Sequence, residues 1–300
     1  LQNNNVKPLK QPLNYIEQIK MLQEKHNLIV DDEVIAIEAL KQLNYYRLCA
    51  YGLTFLDPSD KEKYIYGTSF SDLTQLYQFD FAFRHLLLSV LEAFEINLRS
   101  KISYHLAITY GSEGINDKNN FKSIYNKRNE LVYDVFISNL QVAIERGKKK
   151  PFVAHHLKKY GGKFPVWASI ELFSFGMLST LFGIMMDKDQ KAIAIEFGIK
   201  SAGLLNGWVR AFLDLRNRCA HNERIYNMPL SQPISLLNKD KKYITTKTNK
   251  VFPVVLALKR VTQNKSLWTW FCFELKRLFD VYPVVELKYI GFPYDWETIL

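Results

Sequence analysis

Apolar residues along most of this chain recur at three- and four-residue steps, the spacing that gathers them on one face of a helix. Residues 12 to 25 and 31 to 42 read as two short amphipathic helices separated by His26-Asn27, with Asp31-Asp32 favouring the start of the second. Together with Tyr45 to Phe55 they make an amino-terminal helical subdomain, residues 1–62. Ser69 through Asp72 has the form of a capping box. It opens a long helix whose apolar positions Leu73, Leu76, Tyr77, Phe83, Leu87, Val90, Leu91, Phe94, Leu98 and Ile102 keep the helical period. That helix is predicted to be the spine of the core.

Gly111 to Asn126 is a polar, glycine-containing connector, and Leu131 to Glu145 is the next periodic segment. Trp167 to Met186 carries a single charge, Glu171, and is long enough to cross a bilayer. It reads instead as one buried helix: Glu171, Ser174, Ser179 and Thr180 interrupt the apolar run, Gly176 and Gly183 permit close packing, and the basic flanks form no convincing anchor. A membrane protein built on this stretch is therefore the weakest reading. The predicted fold class is all-α, with residues 63–230 as the helical core and residues 231–300 as a basic loop and C-terminal helices packing on it.

Three hundred residues with 48% hydrophobic content can bury a large core. Forty Lys and Arg against thirty Asp and Glu leave a net charge of +10, which favours an anionic partner such as RNA and binding that weakens with salt. Solubility alone is the other explanation of such a charge. Cys49, Cys219 and Cys272 are widely spaced and odd in number, which points to a reducing cytoplasm and to neither a disulfide framework nor a zinc site. The chain does not begin with methionine, and no amino-terminal signal pattern is visible in it.

The most informative chemistry is Asp214-Leu215-Arg216-Asn217-Arg218-Cys219-Ala220-His221-Asn222, at the end of an expected helix. An imidazole can exchange a proton with a ribose hydroxyl, and a fixed guanidinium can hold the charge that builds on phosphorus, so the pair suffices to cleave RNA without a metal. Arginine also matches phosphate through its planar fork of donors. At about 100° per residue, Val209, Phe212, Leu213, Arg216 and Ala220 share a face, which centres Arg216 on an apolar stripe. A charge there either meets a carboxylate inside the fold or opens onto a polar site. His221 would point about 140° away on an unbroken helix. The two converge only if the helix ends between them, which Asn222 and the Asn227-Met228-Pro229 run permit, or if opposite copies of the chain in a dimer each supply one.

Several segments carry a family resemblance. Leu215 to Asn227, LRNRCAHNERIYN, resembles the signature of the Abi-like abortive-infection proteins of the AbiD and AbiF type, within the HEPN group of helical ribonucleases. Lys7-Pro8-Leu9, Leu43-Asn44-Tyr45-Tyr46-Arg47-Leu48 with Tyr51, and Tyr77-Gln78-Phe79-Asp80 with the long helix resemble the family's opening and middle. Pro165-Val166-Trp167, Glu171-Leu172-Phe173-Ser174-Phe175-Gly176, and Gly291-Phe292-Pro293 with Trp296 follow in order. The resemblance implies a HEPN-type helical bundle with helical extensions at both ends and metal-independent endoribonuclease activity in anti-phage defence. Arg216 and His221 would be its catalytic pair and Asn217 the polar residue after the arginine. It implies no cofactor, a homodimer with a composite site, and RNA as substrate and as a small noncoding antitoxin that restrains the enzyme.

Glu95 and Arg99 stand four apart on the long helix, with Glu92 on the same side, and resemble the supporting Glu and basic residue of HEPN proteins. A surface salt bridge is the plainer reading. Arg99 and His105 fit the loose spacing of a second catalytic pair, but His105 falls about 120° from Arg99 and in register with Leu87, Phe94 and Leu98, as a packed core histidine would. Arg146, Lys148, Lys149 and Lys150, then Lys158 and Lys159 beside Tyr160, and Lys241 and Lys242 beside Tyr243 are candidate RNA contacts, since cations interleaved with aromatics suit backbone contact and base stacking. Solvated loops explain them equally. His155-His156 hints at metal but lacks a nearby third ligand. The competing functional class is a noncatalytic RNA-binding or interaction module of the same fold, with Arg216 as a phosphate contact or core ion pair.

Overall fold

The computed structural model describes residues 9–231, 233–245 and 247–300, so Lys7 and Pro8 of the opening motif lie outside the described residues. The described residues are all-α, with isolated bridges such as Phe121 to Met185 and no strand among them. The chain divides into two compact units, Leu1–Ala82 with Phe279–Val285, and Phe83–Leu278 with Glu286–Leu300.

In the first unit, α1 (Tyr15–Lys20) runs on as a π turn, Met21–Lys25, and is followed by α2 (Glu33–Gln42), α3 (Tyr45–Tyr51) and the first turns of α4 (Phe70–Tyr110). Polar side chains start each helix by taking up N–H groups that have no partner in the first turn. Asn14 and Glu17 form a reciprocal capping box on α1, Asp32 accepts from Val34 and Ile35 at α2, and Asn44 accepts from Tyr46 at α3. At α4 the Ser69 hydroxyl accepts from Asp72 N at 3.2 Å while the Asp72 carboxylate accepts from Ser69 N at 2.8 Å. The apolar faces so aligned meet in one cluster of Ile19, Leu22, Leu28, Ala36, Leu40, Leu48, Tyr64, Phe70 and Leu73. Inside this unit the buried Asp80 carboxylate accepts from the Tyr51 hydroxyl at 2.8 Å, which satisfies a group that is costly to leave unpaired.

The second unit holds the rest of α4, α5 (Val132–Gly147), α6 (Pro151–Lys159), α7 (Val166–Ser169), α8 (Phe175–Ile184), α9 (Asp187–Glu196) and α10 (Ala202–Ala220). After these come α11 (Asn238–Lys241), α12 (Val251–Val261), most of α13 (Lys265–Val281) and α14 (Trp296–Ile299). Along α4 the fully buried positions Phe83, Leu87, Val90, Leu91, Phe94, Leu98, Ile102 and Leu106 keep the helical period. Phe94 is the centre of an aromatic cluster, with ring centroids 4.8 Å from Phe212, 5.3 Å from Phe197 and 6.3 Å from Phe175. It therefore ties α4 to α8, the end of α9, and α10, and it does so one residue before Glu95.

Trp167 to Met186 is not one helix. It breaks into α7, a 3-10 turn Ile170–Leu172, an extended Phe173 and then α8. Ser174 is the physical reason: its hydroxyl accepts from Met177 N at 3.3 Å and caps a new helix. The segment is buried where expected, at Leu178, Leu181, Phe182 and Ile184, while Trp167 is exposed. Among the described residues no helix is long and apolar enough to cross a membrane.

Two tyrosines give this unit an alkaline limit. Burial first, then the hydrogen bond to Asp189, pushes Tyr110 from 10 up to about 12; burial with the charges of Asp117 and Asp134 does the same for Tyr133. Folding keeps both protonated past the pH at which the unfolded chain ionises, so their stabilisation is whole below pH 10 and is lost as pH rises toward about 12. Thermal melts across that window are expected to show a Tm that falls more steeply for the wild type than for Tyr133→Phe; parallel curves would contradict this.

Candidate functional site

Helix α10 begins at Ser201, whose hydroxyl accepts from Leu204 N at 3.2 Å, and buries Leu205, Trp208, Val209, Ala211, Phe212, Leu215 and Cys219. The Trp208 indole donates to Ser235 O at 2.6 Å. On the other side Asp214 accepts from Ser231 N at 2.9 Å, and Arg218 donates to Pro229 O at 3.0 Å. These bonds hold the helix against the segment that follows it. Neither Asp214 nor Arg218 stood out in the sequence beyond an i, i+4 pair; their partners lie 11 to 17 residues on, where no helical period connects them.

The helix end is a Schellman motif. Asn222 takes φ +58°, a left-handed conformation that asparagine tolerates. Asn222 N donates to Cys219 O at 3.3 Å and Glu223 N to Arg218 O at 2.9 Å. Asn222 is thus the terminator that the sequence allowed, and the last helical residue is Ala220. The helix continues through Ala220, and His221 N still donates to Asn217 O at 2.8 Å. The helical span thus ends between Arg216 and His221, which is its C-cap residue, and no hydrogen bond or ion pair joins the two side chains among the described residues. On a regular helix, positions 216 and 221 would stand about 140° apart.

Arg216 lies toward the edge of the buried face of α10, about 60° from its middle, rather than at its centre. Both alternatives posed for it are met in part. One guanidinium nitrogen stands 3.4 Å from the Glu95 carboxylate, while 33% of the side chain remains in solvent. It also donates to the Asn217 side-chain oxygen at 3.2 Å, which places Asn217 beside the guanidinium. His221 is exposed, and its imidazole has no hydrogen bond, ion pair or ring contact among the described residues.

Glu95 is more than a surface pair. Its side chain is 13% exposed and its other oxygen is 3.2 Å from Arg99, so one carboxylate lies between two guanidiniums. Arg99 in turn donates to Ile170 O and Phe173 O, each at 3.0 Å. The Phe173 carbonyl lies at the break between α7 and α8, where the arginine satisfies it, while that of Ile170 also accepts from Phe173 N at 3.1 Å. The signal that could have revealed this was Ser174, a strong cap residue inside an apolar run. Glu92 is exposed and forms no ion pair among the described residues.

Arg99 and His105 turn to different partners. His105 Nε2 meets Asp189 Oδ1 at 2.8 Å, and the Tyr110 hydroxyl donates to Asp189 Oδ2 at 2.7 Å. Of the basic segments, Arg146 and Lys150 line an open cleft of about 840 Å³ between α5 and α8, which Leu213 of α10 also borders. Lys148 pairs with Glu145, and Lys149 and Lys158 are exposed. Lys159 stands 5.5 Å from the Tyr160 ring centroid and Lys242 4.9 Å from that of Tyr243, while Lys241 ends α11 exposed to solvent. The His155 and His156 rings are 5.5 Å apart and edge to face. No three metal-binding side chains gather closely enough to hold an ion among the described residues.

An all-α chain with a carboxylate-braced arginine at the end of its signature helix defines the class, and comparison with known families gives the group. A family model described as Abi-like protein matches residues 38–227, more than half of the chain, and the chain belongs to that family. Searches of curated proteins and of solved structures return no match.

Removing the carboxylate between the two arginines leaves both without their shared counter-charge. Glu95→Ala is expected to lower unfolding free energy by about 2 kcal/mol, less than the roughly 3–5 kcal/mol of a fully buried pair because Arg216 keeps solvent access. Urea denaturation measures it, and a loss below a few tenths of a kcal/mol would reduce the cluster to a surface pair.

Proposed function

We propose that this Abi-like protein is a HEPN-type helical bundle and a metal-independent endoribonuclease of anti-phage defence, with Arg216 and His221 as its catalytic pair. The observation that carries the reading is the contrast at the end of α10. Arg216 is braced by Glu95 with part of its side chain in solvent, while the His221 imidazole five residues on is exposed and unengaged. A guanidinium held in place before substrate arrives costs little to reorganise when charge develops on phosphorus. An unengaged imidazole is free to take the 2′-hydroxyl proton or to protonate the leaving oxygen. Asn217, bonded to Arg216, orients substrate or the histidine. Attack by the 2′-hydroxyl oxygen on phosphorus expels the 5′ oxygen of the next nucleotide, leaving a 2′,3′-cyclic phosphate and a 5′-hydroxyl.

Because a regular helix would set positions 216 and 221 about 140° apart, the reading favours a symmetric dimer in which one copy supplies the arginine and the other the histidine of each site. The basic segments around Arg146 and Lys158 are where substrate, or a noncoding RNA that restrains the enzyme, would be held. One observation favours the rival, noncatalytic RNA-binding module: the Glu95 pair would be sufficient reason for an arginine at position 216.

Total cellular RNA incubated with the protein is expected to show new ends of the cyclic-phosphate type. His221→Ala should lower the rate by about 10²–10⁴, Arg216→Lys should lose rate while RNA binding persists, and a chelator should change nothing. Cleavage that survives His221→Ala sinks the mechanism, and an unreactive wild type with bound RNA returns the rival. The same preparation, free of copurifying nucleic acid at moderate salt, would remove the restraining RNA from the proposal. Mixing inactive Arg216→Ala and His221→Ala chains separates the two assemblies. Exchange into a shared-site dimer is expected to restore about a quarter of wild-type activity, since half the dimers are mixed and each rebuilds one of two sites. No recovery after verified exchange would place both residues in one chain's site.

A further inference from the structure

Away from α10, the turn after α6 builds an aromatic pocket. Gly161 and Gly162 both take positive φ, +59° and +83°, and reverse the chain so that Phe164 comes back under α6. The Phe164 ring, 5% exposed, stacks on His156 at 5.1 Å. His156 is held from behind as well, donating its Nδ1 proton to Phe152 O at 2.8 Å. On this base Tyr160 packs 5.3 Å from His156 and 5.6 Å from His155, so the cluster is fixed before any ligand arrives.

Across the pocket stands Trp167, 55% exposed at the start of α7, with no ring contact among the described residues. Tyr160 is 49% exposed. An exposed indole and an exposed phenol border the same open space of about 440 Å³. The volume is within the small-ligand range of about 300–1,000 Å³. Lys163 borders the pocket itself, Lys159 lies 5.5 Å from the Tyr160 centroid, and Lys158, its neighbour in the chain, is exposed. Lys163 neutralises Glu113, the one carboxylate of the lining, at 3.2 Å.

We propose that this pocket binds an unpaired nucleotide of an RNA strand, with its base stacked between Tyr160 and Trp167 and its phosphates against Lys158 and Lys159. An aromatic pair binds any base through its π face, and lysines track the backbone, so the site holds single-stranded RNA with little sequence preference. The identity of the ligand rests on the RNA reading of the preceding section, but the pocket uses none of the residues of the α10 site.

The test is titration of the full chain with a 2′-O-methyl oligoribonucleotide, which lacks the attacking hydroxyl, so binding is read whether or not the protein cleaves. Tryptophan emission is expected to be quenched on binding, and Trp167→Phe should abolish most of the quenching while keeping affinity near wild type. Trp167→Ala and Tyr160→Ala, both exposed positions, should each weaken binding about fivefold to a hundredfold, the range of one stacked base. Wild-type affinity in both alanine variants, or unchanged quenching in Trp167→Phe, overturns the pocket. Adenosine monophosphate that saturates it at the oligonucleotide's concentration overturns the strand in favour of a free nucleotide. Binding at this pocket without cleavage of ordinary RNA would remove the nuclease and leave the pocket standing.

Discussion

One carboxylate organises the most consequential part of this protein. Glu95 sits between Arg99 and Arg216, and each arginine has a second attachment: Arg99 to the carbonyls of Ile170 and Phe173, Arg216 to Asn217. Three otherwise separate features, the long helix α4, the break between α7 and α8, and the signature helix α10, are thereby joined through a single ionised group. The neighbouring Phe94 cluster supplies the apolar half of the same junction. A carboxylate with two guanidinium partners is far less exposed to the desolvation penalty that makes a lone buried charge unfavourable.

The same junction explains why α8 is a separate helix. An unbroken run from Trp167 to Met186 would satisfy its own carbonyls and leave nothing for Arg99 to bind. Ser174 starts a new helix, and the arginine bonds the carbonyls of Ile170 and Phe173 at the break. Local capping chemistry and a distant guanidinium thus depend on each other, and the position of Glu95 depends on both.

The proposed division of labour follows from helix geometry. A third of the braced Arg216 side chain remains in solvent, whereas among the described residues His221, as the C-cap residue, is held through its backbone alone. The proposed dimer would let one copy supply the arginine and the other the histidine of each site. The aromatic pocket beside α6 belongs to a different task, holding a strand rather than acting on it, and its rigidity comes from the glycine turn and the buried Phe164.

Much of this was legible in the residues themselves, because helical period and capping are local properties. The long helix with its Ser69–Asp72 box, the start of α2 at Asp32, the terminator Asn222 and the engagement of His105 each follow from side chains within a few residues or from an angle around one helix. Family membership was legible for the same reason, since its motifs are short and occur in order. What only the tertiary structure decided was long-range. Arg99 is bonded more than seventy residues away, Arg216 finds Glu95 on another helix, and Trp167 and Tyr160 border one open pocket. Hydrophobic periodicity reports which face of a helix is buried, but a charged group's partner is set by where other elements dock, and no pattern along the chain encodes that distance.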